Sequence, residues 1–383
     1  MIERKLHYEL VSKLKEGGQL PALVYVKNGF DLYFAERNFK IIKRYPIVNA
    51  VGVNLDFNTA MKLSSVDGVD YIAAESKVST LDDVNDVEKI SIDEAIKTRN
   101  KTRPVYAQSK KVSTESLSIP PDMDGKGVGL CVLDTGVMPH LDLWLPSQKL
   151  TCFKDVLNEK EAPYDDNGHG TFVAGVALGT GIMSAKKVSG VASGANLISV
   201  KAINDNGVAG AFKILDGMQW ILDNRKKQKI DVVCMSFGAE PEAHDPLCIG
   251  AETLVKNGIC VVAASGNSGK DSIKSPAVSP YVISVGAVDD DYKVAEFTST
   301  GTVNGQAWPD VYAKGVKIAG LGGSGYVKMS GTSVAAPYIA AACCLLKQRY
   351  PDLSPLEIKR IILREAEIYK YVKVLEFLKR PTV

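Results

Sequence analysis

One serine in this 383-residue sequence lies where it could act as a nucleophile. Ser333 belongs to the run GTSVAAP, among small residues at the start of an apolar helical pattern. A serine at a helix start often only caps the helix. The same position favours a developing negative charge, because the free N–H groups and the helix dipole point towards it. Ser333 is therefore either a capping residue or a candidate nucleophile.

A histidine between two glycines is the candidate base. His169 lies in NGHGTFVAG, directly before a helical pattern. Its glycine neighbours leave room for another group to approach, and imidazole can accept and return a proton near neutral pH. The alternative is a structural histidine, which is the interpretation we give to His140 and His244.

Two further polar residues follow apolar runs that read as buried strands. Asp134 comes directly after CVL, where a carboxylate is costly unless it is hydrogen-bonded. Asp-Thr-Gly also occurs in aspartic proteases, but their mechanism needs two such carboxylates, and this tripeptide occurs once. Asn267 ends the run AASGN, where its amide could donate to an oxyanion. Both residues could instead belong to turns.

Together the four residues predict nucleophilic catalysis. Ser333 would attack a carbonyl while His169 removes its proton, and Asp134 would fix the imidazole tautomer and stabilise its charged form. Asn267 and the backbone N–H of Ser333 would hold the oxyanion. Each residue alone has a structural explanation, but their joint occurrence at strand ends and helix starts favours chemistry.

The elements that must position these residues predict an α/β fold. From Gly125 onward, apolar strands alternate with helical segments, which indicates a mostly parallel sheet with helices on both faces. Functional groups of such sheets collect at the carboxyl ends of the strands. Residues 122–383 are expected to form this unit.

Two other regions precede the main unit. Residues 1–81 predict a small α/β domain with its own core, including a helix capped by Asn58. Residues 82–121 read as a polar linker with one short helix near SIDEAIK and a basic run at 97–103.

The motifs resemble the signature blocks of the subtilisin-like serine proteases. VLDTGV, NGHGTFVAG, AASGN and GTSVAAP follow that family's Asp, His, Asn, Ser order, and the resemblance covers residues 125–366. The general description of the Asp-His-Ser triad itself derives in part from enzymes of this family. The resemblance implies a subtilisin-like fold, with Asp134, His169 and Ser333 as the triad, Asn267 in the oxyanion hole, and serine endopeptidase activity on peptide or protein substrates.

A peptide-binding groove is also implied by the resemblance. Its edges would be the stretch 207–210, with Gly207, Val208 and Ala209, and the tripeptide Ser236, Phe237 and Gly238. An extended peptide would add between them as a third strand. Lys274 would lie near the floor of the main specificity pocket, where it either favours an acidic or polar substrate residue or points to solvent. The loop GTGIMSAKKVSG, where many relatives bind calcium, has no carboxylate or Asn, so no metal is expected.

The first domain is similar to the later half of subtilisin propeptides, over residues 40–81. This similarity implies that the chain's own N-terminal domain acts as an intramolecular inhibitor, with its tail 78–81 in the active site. Cleavage after Leu81 is the expected processing step, and the basic run at 97–103 is the second candidate.

Composition argues against several other classes. A net charge of +2 is too close to balance to indicate a nucleic-acid or membrane surface. The N-terminus lacks a secretory signal pattern, which predicts a cytoplasmic location and leaves export by another route open. The seven cysteines include no CxxC pair, several lie in apolar runs, and they are expected to be reduced and structural, so no zinc or other cofactor is predicted.

Two sequence patterns point away from other enzymes. GLGGSG at 320–325 matches a dinucleotide-binding pattern but does not open a helix, and no G-x-S-x-G occurs. A second function stays open: a catalytically silent, peptide-binding or regulatory pseudo-protease whose N-terminal domain remains bound. The complete set of four residues favours the enzyme.

Overall fold

The computed structural model describes residues 6, 8–27, 40–81, 87–97, 123–303 and 305–369. Within them, the helices are α1 (Tyr8–Lys15), α2 (Phe57–Ser64), α3 (Ile92–Lys97), α4 (Leu141–Trp144), α5 (His169–Leu178), α6 (Ala211–Asn224), α7 (Pro246–Lys256), α8 (Thr332–Arg349) and α9 (Pro355–Tyr369), with a 3-10 helix at Pro46–Val48. The strands are β1 (Leu20–Val26), β2 (Ile41–Tyr45), β3 (Ala50–Leu55), β4 (Val69–Ala74), β5 (Lys77–Thr80), β6 (Glu88–Ile90), β7 (Gly129–Asp134), β8 (Leu150–Asp155), β9 (Asn196–Lys201), β10 (Val208–Gly210), β11 (Val232–Met235), β12 (Phe237–Gly238), β13 (Cys260–Ala264), β14 (Ile283–Val288), β15 (Gly301–Val303), β16 (Gln306–Trp308), β17 (Val311–Lys314), β18 (Ile318–Gly322) and β19 (Gly325–Met329).

A seven-stranded parallel sheet forms the centre of the molecule, in the order β17-β14-β13-β11-β7-β9-β8. Successive residues of β7 point to opposite faces of the sheet. Leu130 and Val132 pack with apolar residues of α5 and α8, whereas Cys131 and Leu133 pack with those of α6 and α7. Helices on both faces explain why the strands are apolar throughout. The predicted α/β class with a mostly parallel sheet is confirmed.

Residues 8–74 contain a separate four-stranded antiparallel sheet in the order β2-β3-β1-β4. One face, with Val24 and Val53, packs on α1 and α2. The predicted cap of α2 is wrong. The cap is Asp56, whose carboxylate accepts the N–H of Thr59 at 2.7 Å, rather than Asn58.

The other face of this N-terminal sheet rests on α6 and α7, where Leu23 and Tyr25 join their apolar cluster. Polar contacts fix the arrangement through the 3-10 helix. The N–H of Ile47 donates to Gln219 Oε1 at 2.9 Å, and the Ile47 carbonyl accepts the hydroxyl of Thr253 at 2.9 Å. The N-terminal unit is therefore docked on the side of the central sheet that α6 and α7 cover.

The segment 87–97 was expected to be linker apart from a short helix, but it also forms a strand. β6 pairs antiparallel with β19, with Ile90 opposite Tyr326. The predicted short helix follows as α3, held by reciprocal hydrogen bonds between Ser91 and Glu94 and by a fully buried Ala95. The remainder of the expected linker and nearly all of its basic run, residues 98–103, lie outside the described residues.

Other sequence features take simple structural roles. The pattern GLGGSG forms the turn between β18 and β19, a β-hairpin rather than a nucleotide loop. All seven cysteines fall within the described residues and are free thiols. Over the ranges given above, none of the helices combines the length and apolar character needed to cross a bilayer.

Candidate active site

Asp134 and His169 are in direct contact at the carboxyl end of the sheet. Asp134 ends β7 and is fully buried, and its Oδ1 lies 2.7 Å from Nδ1 of His169. The same oxygen accepts the N–H of Thr135 at 2.7 Å. His169 begins α5, directly after Gly168, which adopts φ 102°. Because Nδ1 faces a carboxylate, this nitrogen carries the ring proton and Nε2 carries the basic lone pair.

A second buried carboxylate, which sequence reasoning missed, ties the Asp134 strand end to the His169 helix. Asp165 accepts the Thr135 hydroxyl at 2.9 Å and the N–H groups of Gly168 and Thr171 at 2.8 and 2.9 Å. It therefore fixes the loop DDNGHG on both sides of the imidazole. The signal in the sequence was the acidic pair that opens this loop.

A buried lysine that sequence reasoning also missed holds the chain around the same loop. Lys201 ends β9 opposite Asp134, and its side chain is fully buried. Its ammonium donates to the carbonyls of Thr135 at 2.5 Å and Ile203 at 3.0 Å, and to Asp166 Oδ1 at 2.7 Å. The signal was a lysine that interrupts the apolar run NLISVKAI. Its charge is compensated by oxygen atoms that belong to the chain on both sides of the site.

Ser333 lies in the first turn of α8 and is fully buried. The capping alternative does not hold: the N-cap residue is Gly331, which has no side chain to cap the helix. Ser333 Oγ makes no hydrogen bond within the described part of the chain. The backbone carbonyl of Ser333 accepts the hydroxyl of Ser236 at 2.9 Å. Ser236 thus supports the backbone of Ser333. We expected Ser236 to belong to a strand at the edge of the groove.

Asn267 is oriented by Thr332, the residue before Ser333. Its Oδ1 accepts the backbone N–H of Thr332 at 3.0 Å and the Thr332 hydroxyl at 2.8 Å. These two bonds identify Oδ1 as the acceptor and direct Nδ2 to the opposite side, where it donates to the carbonyl of Leu81 at 2.8 Å. Asn267 is therefore a positioned donor, and its amide does not serve only as a turn residue.

The tail of the N-terminal unit lies between two short strands of the main unit. β5 pairs antiparallel with β10, with Ser79 opposite Val208 and Val78 opposite Ala209. On its other side it pairs with β12, with Thr80 opposite Phe237 and Ser79 opposite Gly238. The N–H of Thr80 also donates to the Gly207 carbonyl at 2.9 Å. Five of the six predicted groove residues thus contact the tail, and Ser236 lies outside β12.

The chain leaves this strand at Leu81, whose carbonyl has two donors. Besides Asn267 Nδ2, the backbone N–H of Ser333 points at the oxygen from 3.4 Å. A Cβ atom on Gly331 would lie 2.6 Å from this oxygen, 2.9 Å from Ser333 Oγ and 3.1 Å from Asn267 Nδ2. The three atoms therefore surround one small space, which only glycine leaves open.

The Leu81 side chain is buried in a pocket bordered by Gly238, and the stem of Lys274 lies against the same glycine. A Cβ atom on Gly238 would lie 3.1 Å from Leu81 Cδ1 and 2.8 Å from Lys274 Cβ, so both side chains flank this glycine. Lys274 is only 8% exposed, and its ammonium pairs with the carboxylate of Glu240. Of the two alternatives given for Lys274, the solvated side chain that points outward does not hold, because the side chain is only 11% exposed.

The loop 179–190, for which the sequence predicts no metal, closes on its own atoms. The Ser184 hydroxyl donates to the Gly181 carbonyl at 3.1 Å and accepts the N–H of Val188 at 2.9 Å. Asp142, the carboxylate that reaches this loop, accepts the N–H of Met183 at 2.9 Å and the Tyr326 hydroxyl at 2.7 Å. These oxygen atoms are engaged with the protein, so the residues present do not fit a calcium site.

The same constellation can be compared with known proteins. Residues 125–378 match the family model described as the Subtilase family, peptidase S8. The chain belongs to the subtilase family. The resemblance expected from the four motifs is thereby confirmed.

Relatives of this subtilase include proteins of known name. It is 36% identical over 325 residues to serine protease AprX of Bacillus subtilis (strain 168), covering 76% of this chain and 72% of that protein. It is 34% identical over 238 residues to subtilisin Savinase of Lederbergia lenta, covering 62% of this chain and 82% of that protein. The chain is accordingly a subtilisin-like serine protease, a serine endopeptidase.

A solved structure shares the fold of this subtilase. The crystal structure of a cold-adapted subtilisin-like serine proteinase superposes with a TM-score of 0.59 at 24% identity, covering 71% of this chain and 93% of that chain. At this identity the likeness shows the subtilisin-like fold.

Proposed function

We propose that this subtilase cleaves peptide bonds through Asp134, His169 and Ser333, and that it is made as a zymogen inhibited by its own N-terminal unit. The observation that carries the proposal is the position of Leu81. Its carbonyl receives Asn267 Nδ2 and the N–H of Ser333, at the end of a strand that is hydrogen-bonded on both sides. An extended substrate would be bound in this way.

The chemistry follows from the contacts of each group. Ser333 Oγ attacks the carbonyl carbon and gives its proton to His169 Nε2, while Asp134 holds Nδ1–H and stabilises the imidazolium. The oxyanion gains the two donors that already hold the Leu81 carbonyl. Collapse expels the amine, which takes the proton from His169, and water then hydrolyses the acyl-enzyme. Catalytic hydrogen bonds are often long outside the reacting complex, in keeping with a Ser333 hydroxyl that has no partner among the described residues.

The first substrate in this proposal is the chain itself. Cleavage of the bond between Leu81 and Asp82 would free the tail covalently but leave its strand pairs in place. The contacts of the N-terminal sheet with α6 and α7 would hold the cleaved unit on the enzyme. The N-terminal unit would then be a product-like inhibitor that competes with peptide and protein substrates.

Mass spectrometry of the purified full-length chain tests the proposal. We expect a cut after Leu81 in the wild type, none in Ser333→Ala, and a normal cut in Ser268→Ala, a control serine beside Asn267 that is exposed. Labelling by a fluorophosphonate should depend on Ser333 in the same way. A wild-type chain that stays intact and never labels would favour the pseudo-protease, in which the docked tail serves only recognition.

A further inference from the structure

The pocket that holds Leu81 carries a buried positive charge with an exposed partner. We propose that the Lys274–Glu240 pair acts as a charge filter for the substrate residue before the scissile bond. The pair rejects lysine and arginine, keeps acidic side chains from the Lys274 ammonium, and leaves apolar residues of leucine size as the preferred class. This inference rests on the proposed function, because it treats Leu81 as a bound substrate residue.

The stem of Lys274 is part of the pocket wall. A Cβ atom on Gly266 would come within 2.7 Å of Lys274 Cγ, and one on Gly238 within 2.8 Å of Lys274 Cβ. The lysine therefore packs against the glycines of two segments that border Leu81. Its methylene groups can offer an apolar surface to a side chain in the place of Leu81, while its charged end pairs with Glu240.

Backbone hydrogen bonds keep the lysine in this place. The N–H of Lys274 donates to the Ser265 carbonyl at 3.0 Å. Ala239 and Ser275 exchange hydrogen bonds of 3.1 and 2.9 Å, which join the segments that carry Glu240 and Lys274. Because these bonds fix the backbone of Lys274 and of Ser275, the lysine remains beside whatever residue fills the pocket.

The two members of the pair differ strongly in exposure. The Lys274 side chain is 11% exposed, but that of Glu240 is 82% exposed. A basic substrate residue would bring a second cation next to a poorly solvated ammonium, which is repulsive. An acidic residue would have to displace Glu240 from that ammonium. Since Glu240 is well solvated, its hold is weak enough for a single substitution to shift the balance.

Peptide substrates that vary only at the critical position test the filter. The probes are Val-Ser-Thr-Xaa-p-nitroanilides, which copy the tail sequence 78–80 and carry Leu, Glu or Lys as Xaa. They are assayed with the full chain after its cleavage at Leu81. The wild type is compared with the variants Glu240→Gln and Lys274→Met and with the control variant Lys270→Met. Lys270 lies in the same loop, and its side chain is 86% exposed. Fluorophosphonate labelling counts active sites in every variant.

We expect Glu240→Gln to raise the Glu-to-Leu ratio of kcat/KM about tenfold, the size of one charge-assisted contact. Lys274→Met should lower that ratio and raise the Lys-to-Leu ratio about tenfold, and Lys270→Met should change neither. Ratios that stay within about twofold in Glu240→Gln, which alters only an exposed side chain, overturn the filter even if Lys274→Met fails to label. A wild type that labels with the fluorophosphonate but cleaves none of the peptides overturns the filter; one that neither labels nor cleaves overturns the proposed function as well.

Discussion

The side-chain amide of Asn267 donates to the backbone carbonyl of Leu81 at 2.8 Å, across a separation of 186 residues. This bond joins the tail of the N-terminal unit to the centre of the proposed active site. The bond also fixes where the tail ends its path along the groove, because Leu81 directly follows the strand β5. The relationship makes Asn267 the most direct test of oxyanion stabilisation.

Replacing Asn267 with alanine should lower kcat and leave KM nearly unchanged. The amide binds the oxygen most strongly when it carries negative charge, so its loss raises the transition state more than the bound state. The expected loss is about 10²–10³ in kcat, which is the known effect of removing the oxyanion-hole asparagine from a subtilisin, a member of this same family. Steady-state kinetics on a peptide substrate measure it. A variant that loses affinity but keeps kcat would contradict the role.

Adding one methyl group at Gly331 should abolish processing after Leu81. The new Cβ atom would lie 2.6 Å from the Leu81 oxygen and 2.9 Å from Ser333 Oγ, too close for either to stay in place. Gly325→Ala is the matched control, because its nearest neighbour, the Ile90 carbonyl, is 4.0 Å away. Intact mass after incubation is the measurement. Normal cleavage in Gly331→Ala would show that the carbonyl is not held here during the reaction.

The Lys201→Met substitution should reduce kcat by roughly tenfold or more and lower the stability of the folded chain. It leaves the buried carbonyls of Thr135 and Ile203 without their donor, at about 1–3 kcal/mol for each unsatisfied group. The Thr135 backbone then loses the support that places Asp134 against His169. Lys201→Arg should recover part of kcat, and Lys126→Met, at an exposed lysine, should be neutral. Unchanged kcat in a folded, less stable Lys201→Met would limit this lysine to a structural role.

The residues proposed to carry the chemistry stand out in the sequence because each one breaks or borders an apolar run. Asp134 ends the buried strand β7 and Asn267 follows shortly after the buried strand β13, whereas His169 begins α5 and Ser333 lies in the first turn of α8. In a parallel sheet, those positions share one edge, so local pattern and fold pointed to the same place. The apolar strands themselves also made the α/β architecture predictable.

The supporting residues could not be found in this way. Asp165 and Lys201 act through contacts with segments that are distant in sequence, and a charged residue in a loop or at a strand end carries no sign of its future partner. The strand β6 has the sequence EKI, and it exists because β19 offers it backbone partners. From the sequence, Lys274 is typical of a surface residue. In the structure, the neighbouring glycines leave the space in which its side chain is buried.

The Asp310→Asn substitution should destabilise the chain by about 3–5 kcal/mol. Asp310 pairs at 2.9 Å with Lys359, which anchors α9 to the sheet, and both side chains are less than 10% exposed. Burial lowers the pKa of Lys359, and Asp310 opposes that effect, so the variant leaves a poorly compensated ammonium. Thermal unfolding measures the change. Asp290→Asn, which breaks a half-exposed pair with Lys314, should cost at most about 1 kcal/mol; equal effects would contradict the argument.

One carboxylate of the N-terminal unit should make its docking depend on pH. Glu75 Oε1 accepts the N–H of Phe212 at 3.0 Å, at the start of α6, where Gly210 provides no side-chain cap. Burial at this contact raises the pKa of Glu75 above its ordinary value of 4.5, an effect that the Phe212 N–H partly opposes. The docked unit therefore binds a proton more readily than the free one.

It follows that the cleaved N-terminal unit should bind the processed enzyme more tightly as the pH falls from the raised pKa of Glu75 towards 4.5. Above that window both states are ionised, and the desolvation of the carboxylate weakens docking. Glu75→Gln keeps an acceptor oxygen for Phe212 but cannot ionise, so it should bind like the protonated form and lose this part of the pH dependence. Inhibition constants measured for both proteins across pH 4–7 would reveal the difference, since other titrating groups affect both equally. Parallel curves for the two proteins would mean that Glu75 does not couple proton uptake to docking.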